Sequence, residues 1–172
     1  MKKIFSLAAL LFSLAAAVSC IHDDPAKEFE LKPGDTIPDF SVTMTDGTVV
    51  TAESLHEGVA MIMFFNSTCP DCQQTLPSVQ RIYDEYKDKG VSFAIISRSQ
   101  PQSEVDPYWE NQGYTMPYSG QADRAVFNLF ADSRVPRVFI CLDGRIMSSY
   151  KDKPIPTYEN MASDLDSVLA SL

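Results

Sequence analysis

Residues 59–72 read Val-Ala-Met-Ile-Met-Phe-Phe-Asn-Ser-Thr-Cys-Pro-Asp-Cys, and this stretch decides the fold. Its apolar first half has the length of a strand and no polar alternation, which is typical of a central strand covered on both faces. Pro70 suits the first position of a helix, and apolar residues recur at helical spacing from Leu76 to Tyr86 until Gly90 ends the pattern. The two cysteines therefore lie where a buried strand passes into a helix.

The sequence on either side predicts one domain of alternating strands and helices, which is what 172 residues accommodate. An Asp-Gly turn at residues 46–47, between two β-prone runs, predicts that a hairpin within residues 37–50 opens the domain. Further strands are expected at 91–97, 136–142 and 145–150, and further helices at 103–112, 122–131 and 157–172. This alternation is typical of an α/β domain with parallel strand pairing.

The spacing of Cys69 and Cys72 indicates redox chemistry. Two cysteines on a first helical turn lie within bonding reach, and the unpaired backbone amides of a helix start favour a thiolate at Cys69. The thiolate is the attacking species in disulfide exchange, so Cys69 is the expected nucleophile and the more shielded Cys72 the expected resolving cysteine. A static disulfide and half of a zinc site are the alternatives, but His22 and His56 lack metal-site spacing to the cysteines. We expect neither a metal nor a cofactor.

The chain resembles the thioredoxin superfamily, and within it the exported TlpA-like and ResA-like disulfide reductases. The resemblance covers residues 34–172. Four features carry it: the opening segment at 34–40, the Cys-Pro-Asp-Cys motif at 69–72, Pro77, and Val135-Pro136 before a strand. It implies a thioredoxin-like fold, in which a central mixed sheet is flanked by helices and preceded by a β-hairpin.

The resemblance also implies roles for individual residues. Pro77 has the spacing of the family's proline in the active-site helix, beside the active-site neighbours Pro70 and Asp71. Pro136 resembles the cis proline that faces the disulfide, so Val135 would contact the substrate chain. The sequence differs from these families in its buried acid. Thioredoxin has a buried aspartate at the position of Met63. ResA-like proteins have a glutamate after the second central strand, and residues 96–100 contain no carboxylate. Water is then the candidate acceptor of the Cys72 proton.

The residues around the motif favour reduction over oxidation. Strong oxidants of the superfamily have a histidine between the cysteines, whereas Asp71 adds negative charge beside the thiolate and predicts a more reducing couple. A disulfide oxidase or isomerase, and a non-enzymatic thioredoxin-like lipoprotein that binds partners, stay open. A peroxiredoxin fits less well, because Ile62 and Asn66 stand where its Pro-x-x-x-Thr-x-x-Cys pattern has Pro and Thr.

Two further residues near the predicted third strand have expected roles. Arg137 is a candidate to stabilise a nearby thiolate, with an ordinary surface arginine as the alternative. Cys141 is expected to be a small buried hydrophobe with no catalytic role.

The first nineteen residues have the layout of a secretory signal, with two lysines before an apolar run that is too short to span a membrane. Residues 14–20, Leu-Ala-Ala-Ala-Val-Ser-Cys, resemble a bacterial lipoprotein signal, which implies cleavage before Cys20 and lipid on that cysteine. Several acyl chains would anchor the protein stably in a bilayer. Residues 20–33 are predicted to form a flexible tether, and residues 34–172 the thioredoxin-like domain.

These features predict the cellular setting and the partners. The formal charge of −9 disfavours nucleic acid. We expect a lipid-anchored protein of the bacterial cell envelope that faces the periplasm. Its expected partners are disulfide-bonded proteins as substrates and, as the resemblance implies, a membrane thiol-electron transporter as reductant. Residues 21–24, Ile-His-Asp-Asp, resemble an acidic signal that sends some Bacteroidota lipoproteins to the cell surface, so surface exposure is the alternative.

Overall fold

The computed structural model describes residues 29–172. The predicted signal peptide at 1–19, the predicted lipidation site Cys20 and residues 21–28 of the predicted tether lie outside the described residues. Within residues 29–172, no helix is both long enough and apolar enough to cross a membrane.

The described chain contains a hairpin, a sheet and three α-helices, and this architecture is the predicted thioredoxin-like fold. The hairpin pairs β1 (Ser41–Thr43) with β2 (Val49–Thr51). The sheet contains β3 (Val59–Phe65), β4 (Val91–Ser97), β5 (Arg137–Leu142) and β6 (Arg145–Tyr150) in the order β4-β3-β5-β6. The helices are α1 (Pro70–Tyr86), α2 (Gln102–Gln112) and α3 (Tyr158–Leu169).

Strand β3 is the centre of the core. All seven of its residues are buried, as its uninterrupted apolar sequence predicts. It pairs in parallel with β4, from Val59 opposite Val91 to Phe65 opposite Ser97. The last residues of β3 and β4 therefore lie side by side at one edge of the sheet, where the cysteine motif follows β3.

The prediction of parallel pairing holds for β3 and β4 and is wrong for β5, which runs antiparallel to β3. The cause is the segment after α2. Ser119 forms a parallel bridge with Ile96, with its N–H donating to the Ile95 carbonyl at 2.8 Å. This segment returns the chain to the end of the sheet where β3 and β4 finish. Strand β5 therefore begins at that end, with Arg137 opposite Phe64, and runs in the direction opposite to β3.

The predicted helix at 122–131 is also wrong, because only a short 3-10 turn at Phe127–Leu129 forms there. The side chain of Asp123 accepts a hydrogen bond from the Ala125 N–H at 2.8 Å, a local turn that competes with a helix. Phe127 and Phe130 instead pack individually into the core, with ring centroids 5.5 and 4.9 Å from that of Phe64.

Residues 29–33, the last part of the predicted tether, form hydrogen bonds with the domain. The Leu31 N–H donates to the Phe130 carbonyl at 2.8 Å, and the Asp132 N–H donates to the Phe29 carbonyl at 3.1 Å. Leu31 also packs against the core, but one apolar side chain is too short a pattern for hydrophobic periodicity to reveal the contact.

Candidate active site

Cys69 and Cys72 lie at the start of α1, and their exposure differs. Cys69 is the N-cap residue of α1, with an extended backbone, and it is partly exposed. Cys72 belongs to the buried face of the first turn, and its exposed fraction is 0%. Only Cys69 is therefore accessible to a disulfide in another molecule, which is the order of roles that the sequence predicts.

Two amide side chains hold the loop that leads from β3 to Cys69. The buried Gln100 accepts a hydrogen bond from the Ser67 N–H, with 2.6 Å between nitrogen and oxygen. Gln73 of α1 donates from its side chain to the Ser67 carbonyl at 2.8 Å. The Ser67 peptide groups are thus fixed from both sides, so the backbone before Cys69 has a defined path. No sequence pattern predicts the role of Gln100, because its partner is 33 residues away in the chain.

A second loop faces the cysteines from the start of β5. The Val135–Pro136 peptide bond is cis, as the resemblance implies. The Cys69 thiol donates to the Val135 carbonyl, with 3.5 Å between sulfur and oxygen. The structure thus brings Cys69 and Val135 together, although they are 66 residues apart in the chain.

Burial controls the proton of Cys72. Desolvation raises the pKa of this thiol well above its ordinary value, and the neighbouring Cys69 raises it further. Two groups act in the opposite direction, namely the Asn66 N–H, which donates to the Cys72 sulfur at 3.4 Å, and the positive charge of Arg98. Cys72 is therefore a protonated thiol at neutral pH until a base removes its proton.

No carboxylate among residues 29–172 forms a hydrogen bond with either sulfur of the pair. Met63, which stands where thioredoxin has its buried aspartate, is fully buried in β3. The same part of the chain contains no group of three or more His, Cys, Asp or Glu side chains that could hold a metal ion.

An open recess of about 420 Å³ adjoins Cys69. It is lined by Asn66, Thr68, Cys69, Asp71, Arg98, Arg134, Val135, Asp152 and Lys153. Asp71 thus lies beside Cys69, as expected of its place in the motif. Pro70 is the first residue of α1, and Pro77 lies inside the same helix.

Four charged residues of the recess were not predicted from the sequence, namely Arg98, Arg134, Asp152 and Lys153. Arg98 had a detectable signal, since it directly follows β4 and the carboxyl ends of neighbouring parallel strands lie together. Arg134 directly precedes the Val135-Pro136 pair. Asp152 and Lys153 follow the edge strand β6, and no sequence pattern connects them with the cysteines.

Arg137 and Cys141 both belong to β5. Arg137 is neither a surface residue nor a partner of the cysteines: its side chain is 2% exposed and forms an ion pair with Glu30 at 2.8 Å. Cys141 is fully buried, which confirms the expected environment, and burial raises the pKa of its thiol to about 12.

The exposed and buried cysteines of one helical turn, opposite a cis proline on a mixed sheet, define a thioredoxin-like redox protein. The family model described as Redoxin matches residues 32–169, and the chain belongs to that family.

Relatives with known names agree with this class. The chain is 26% identical over 141 residues to the thiol-disulfide oxidoreductase ResA of Oceanobacillus iheyensis, an alignment that covers 79% of this chain and 73% of the relative. A thiol:disulfide interchange protein from Chlorobium tepidum is similar in structure, with a TM-score of 0.67, 19% identity, and coverage of 82% of this chain and 99% of that one. A thio-disulfide isomerase from Thermus thermophilus has a TM-score of 0.63, 24% identity, and coverage of 80% and 97%. Family and cysteine geometry therefore agree that the chain is a thiol-disulfide oxidoreductase.

Proposed function

We propose that this protein is a lipid-anchored oxidoreductase of the bacterial cell envelope that reduces disulfide bonds in envelope proteins. The observation that carries the proposal is the difference in exposure between the two sulfurs. Cys69 is accessible at an open recess, whereas Cys72 is fully buried one turn away. This arrangement suits a two-step exchange in which only one sulfur meets the substrate.

In the first step, the thiolate of Cys69 attacks one sulfur of the substrate disulfide. A bond forms between Cys69 and that sulfur, the substrate disulfide breaks, and the other substrate sulfur leaves as a thiolate that takes a proton from water. In the second step, Cys72 loses its proton and attacks the Cys69 sulfur. The Cys69–Cys72 disulfide forms, and the first substrate sulfur leaves and is protonated. Two electrons have then passed from the protein to the substrate.

Val135 and Pro136 are the proposed substrate-binding residues. The Val135 carbonyl is already within 3.5 Å of the Cys69 sulfur, so a chain whose cysteine reaches Cys69 must pass beside this carbonyl. A backbone N–H of the substrate would take the place of the Cys69 thiol as its hydrogen-bond donor. This contact recognises a peptide backbone in any sequence, which suits an enzyme with several substrates.

Two features support the reductive direction. Asp71 places a negative charge at the recess beside Cys69, which opposes thiolate formation there. The raised pKa of Cys72 means that its thiolate, too, is disfavoured. A couple whose thiolates are not stabilised gives up electrons more readily. A membrane thiol-electron transporter is the proposed donor that restores the dithiol, and lipid on Cys20 would hold the protein near it.

The opposite direction is the second candidate function, and one observation favours it. Arg98, Arg134 and Lys153 also line the recess, and cations stabilise thiolates. If their effect exceeds that of Asp71 and of burial, the reduced form is stabilised and the protein acts as an oxidase or isomerase.

The reduction potential of the Cys69–Cys72 couple decides between these candidates. The full-length protein in detergent is equilibrated with glutathione or dithiothreitol buffers, and the oxidised fraction is measured by thiol labelling. The Cys141→Ser variant is the control, because Cys141 is the third cysteine among residues 29–172 and could also take up label. A value near about −270 mV, as in thioredoxin, supports the reductase. A value near about −120 mV, the level of a strong oxidant, overturns it in favour of the oxidase.

The anchor and the location need a separate experiment. Cells that express the protein are grown with labelled palmitate, and wild type is compared with Cys20→Ala. We expect label and membrane association in wild type alone. Release of the domain by protease from intact cells would contradict the periplasm-facing location and favour the cell surface.

A further inference from the structure

The charge of the recess beside Cys69 is opposite to that of the whole chain. The formal charge of the chain is −9, yet three of the residues that line the recess are basic and two are acidic. An excess of positive charge at the reactive sulfur of an acidic protein is a local feature that composition does not explain.

The two acids do not cancel this positive charge equally. Asp152 is nearly buried, with 8% of its side chain exposed, and lies 3.3 Å from the Arg134 guanidinium. Its charge is therefore compensated within the protein. Asp71 is half-buried at the motif itself. Arg98 and Lys153 together exceed the single negative charge of Asp71, and they are the basic residues that offer charge to a ligand.

Arg98 lines the recess and forms no ion pair among the described residues, and its charge is near enough to act on Cys72. Its guanidinium carbon lies 5.9 Å from the centre of the Phe127 ring, and its Nε atom is buried, so its terminal nitrogens are the donors that a ligand in the recess can reach. A carboxylate is the acceptor that matches a guanidinium best. Lys153 is exposed, so it can approach the same ligand from solvent.

The position of the recess indicates a polypeptide ligand. One boundary of the recess is Val135, whose carbonyl faces Cys69, so the substrate backbone passes along it. Side chains next to the substrate cysteine then enter the recess. A volume of about 420 Å³ admits a side chain of the size of glutamate.

We infer that the recess recognises an acidic side chain next to the disulfide of a protein substrate, with Arg98 and Lys153 as the specificity-determining residues. This inference rests on the proposed function and names its class of substrate. Each exposed charge pair contributes modestly, so the two together give a preference of about five- to tenfold in rate.

The test uses three disulfide-bonded peptides that differ only in the residues that flank one cysteine, which are glutamate, glutamine or lysine. Oxidised glutathione, which also carries carboxylates, is the fourth substrate. The reduced full-length protein is mixed with an excess of each substrate in low salt, and the second-order rate constant for oxidation of the Cys69–Cys72 pair is measured in a single turnover. We expect the glutamate peptide to react about five- to tenfold faster than the lysine peptide, and the ratio to decrease in high salt.

Variants then assign the preference to the recess. Lys153→Gln and Arg98→Gln should each reduce the ratio of the rate for the glutamate peptide to the rate for the lysine peptide. Lys151→Gln is the matched control, because Lys151 is an exposed lysine two residues away that faces Glu30 instead of the recess. It should leave the ratio unchanged. A Lys151 variant that lowers the ratio as much as the Lys153 variant would assign the effect to overall charge and overturn the inference.

The outcomes separate this inference from the proposed function. Equal rates for the three peptides would overturn the inference and leave the reductase intact. Oxidised glutathione reacting faster than the glutamate peptide would overturn the choice of a protein substrate. If the reduced protein reacts with none of the four disulfides, the proposed function itself fails, and the inference with it.

Discussion

The carboxylate of Glu30 lies 2.8 Å from the guanidinium of Arg137, the residue that directly follows the cis proline facing Cys69. Arg137 is almost fully buried, and its guanidinium also donates to the Ser133 hydroxyl at 3.4 Å. An ion pair therefore connects the segment before Gly34 with the residue that follows the cis-proline loop opposite Cys69.

Glu30→Gln should destabilise the protein, because it leaves a buried guanidinium without its counterion. Removal of one partner from a fully buried pair costs about 3 to 5 kcal/mol. Glu30 is 24% exposed, so we expect a loss of about 2 to 3 kcal/mol in the free energy of unfolding, measured by urea denaturation. Lys151 is the other cation near Glu30, and its side chain is 50% exposed. Lys151→Gln should therefore cost less than about 1 kcal/mol in the free energy of unfolding. Equal losses in both variants would contradict a specific role for the pair.

The exposure of the two sulfurs predicts which single mutant traps a substrate. Cys72→Ser should accumulate a mixed disulfide on Cys69 when the protein meets a peptide disulfide, because no second sulfur is present to release it. Cys69→Ser should form no such adduct, since Cys72 is fully buried and burial raises its pKa. Intact-protein mass spectrometry reports both results. An adduct on the Cys69→Ser variant at a comparable rate would reverse the assigned roles.

Local sequence patterns predicted the parts of this protein that local forces determine. The buried run of β3, the helix start at Cys69 and the Asp-Gly turn each depend on neighbouring residues. The helix predicted at 122–131 does not form, both because Asp123 favours a local turn and because Phe127 and Phe130 pack against Phe64, which is a tertiary effect. Lys153 and Gln100 were not predicted, because only the folded sheet brings them to the cysteines, whereas Arg98 and Arg134 had a signal in their places directly after β4 and directly before Val135.

Gln100→Leu should weaken the loop before Cys69. Its side-chain oxygen is the acceptor for the buried Ser67 N–H, and a leucine of similar size leaves that donor unsatisfied. We expect a loss of about 1 to 3 kcal/mol in the free energy of unfolding. A slower reaction of Cys69 with peptide disulfides should accompany it, because the reactive sulfur is then less well positioned.

The control for this prediction is Gln112→Leu, the same substitution at an exposed position at the end of α2. It should alter the free energy of unfolding by less than about 0.5 kcal/mol. Urea denaturation and stopped-flow measurement of Cys69 oxidation report the two effects. Normal stability and reactivity in the Gln100 variant would show that Gln73 alone is sufficient to hold the loop.

Cys141 predicts how stability depends on pH in the alkaline range. Burial raises the pKa of its thiol from 9.0 to about 12, so above pH 9 the unfolded chain loses this proton while the folded protein keeps it. The unfolded state then binds fewer protons than the folded state, and stability decreases as the pH rises. The contribution of this thiol is fully present below pH 9 and is lost progressively above it.

Cys141→Ala removes this contribution, so its stability should decrease less between pH 8 and pH 10.5 than that of wild type. The difference between the two proteins should change by about 2 kcal/mol over that interval, since each pH unit above the unfolded pKa corresponds to about 1.4 kcal/mol for one proton. Both proteins are kept with Cys69 and Cys72 oxidised, and the tyrosines are common to both. Urea denaturation at the two pH values measures the change. A constant difference would mean that Cys141 ionises as readily in the folded protein as in the unfolded chain, which its position in the interior of β5 opposes.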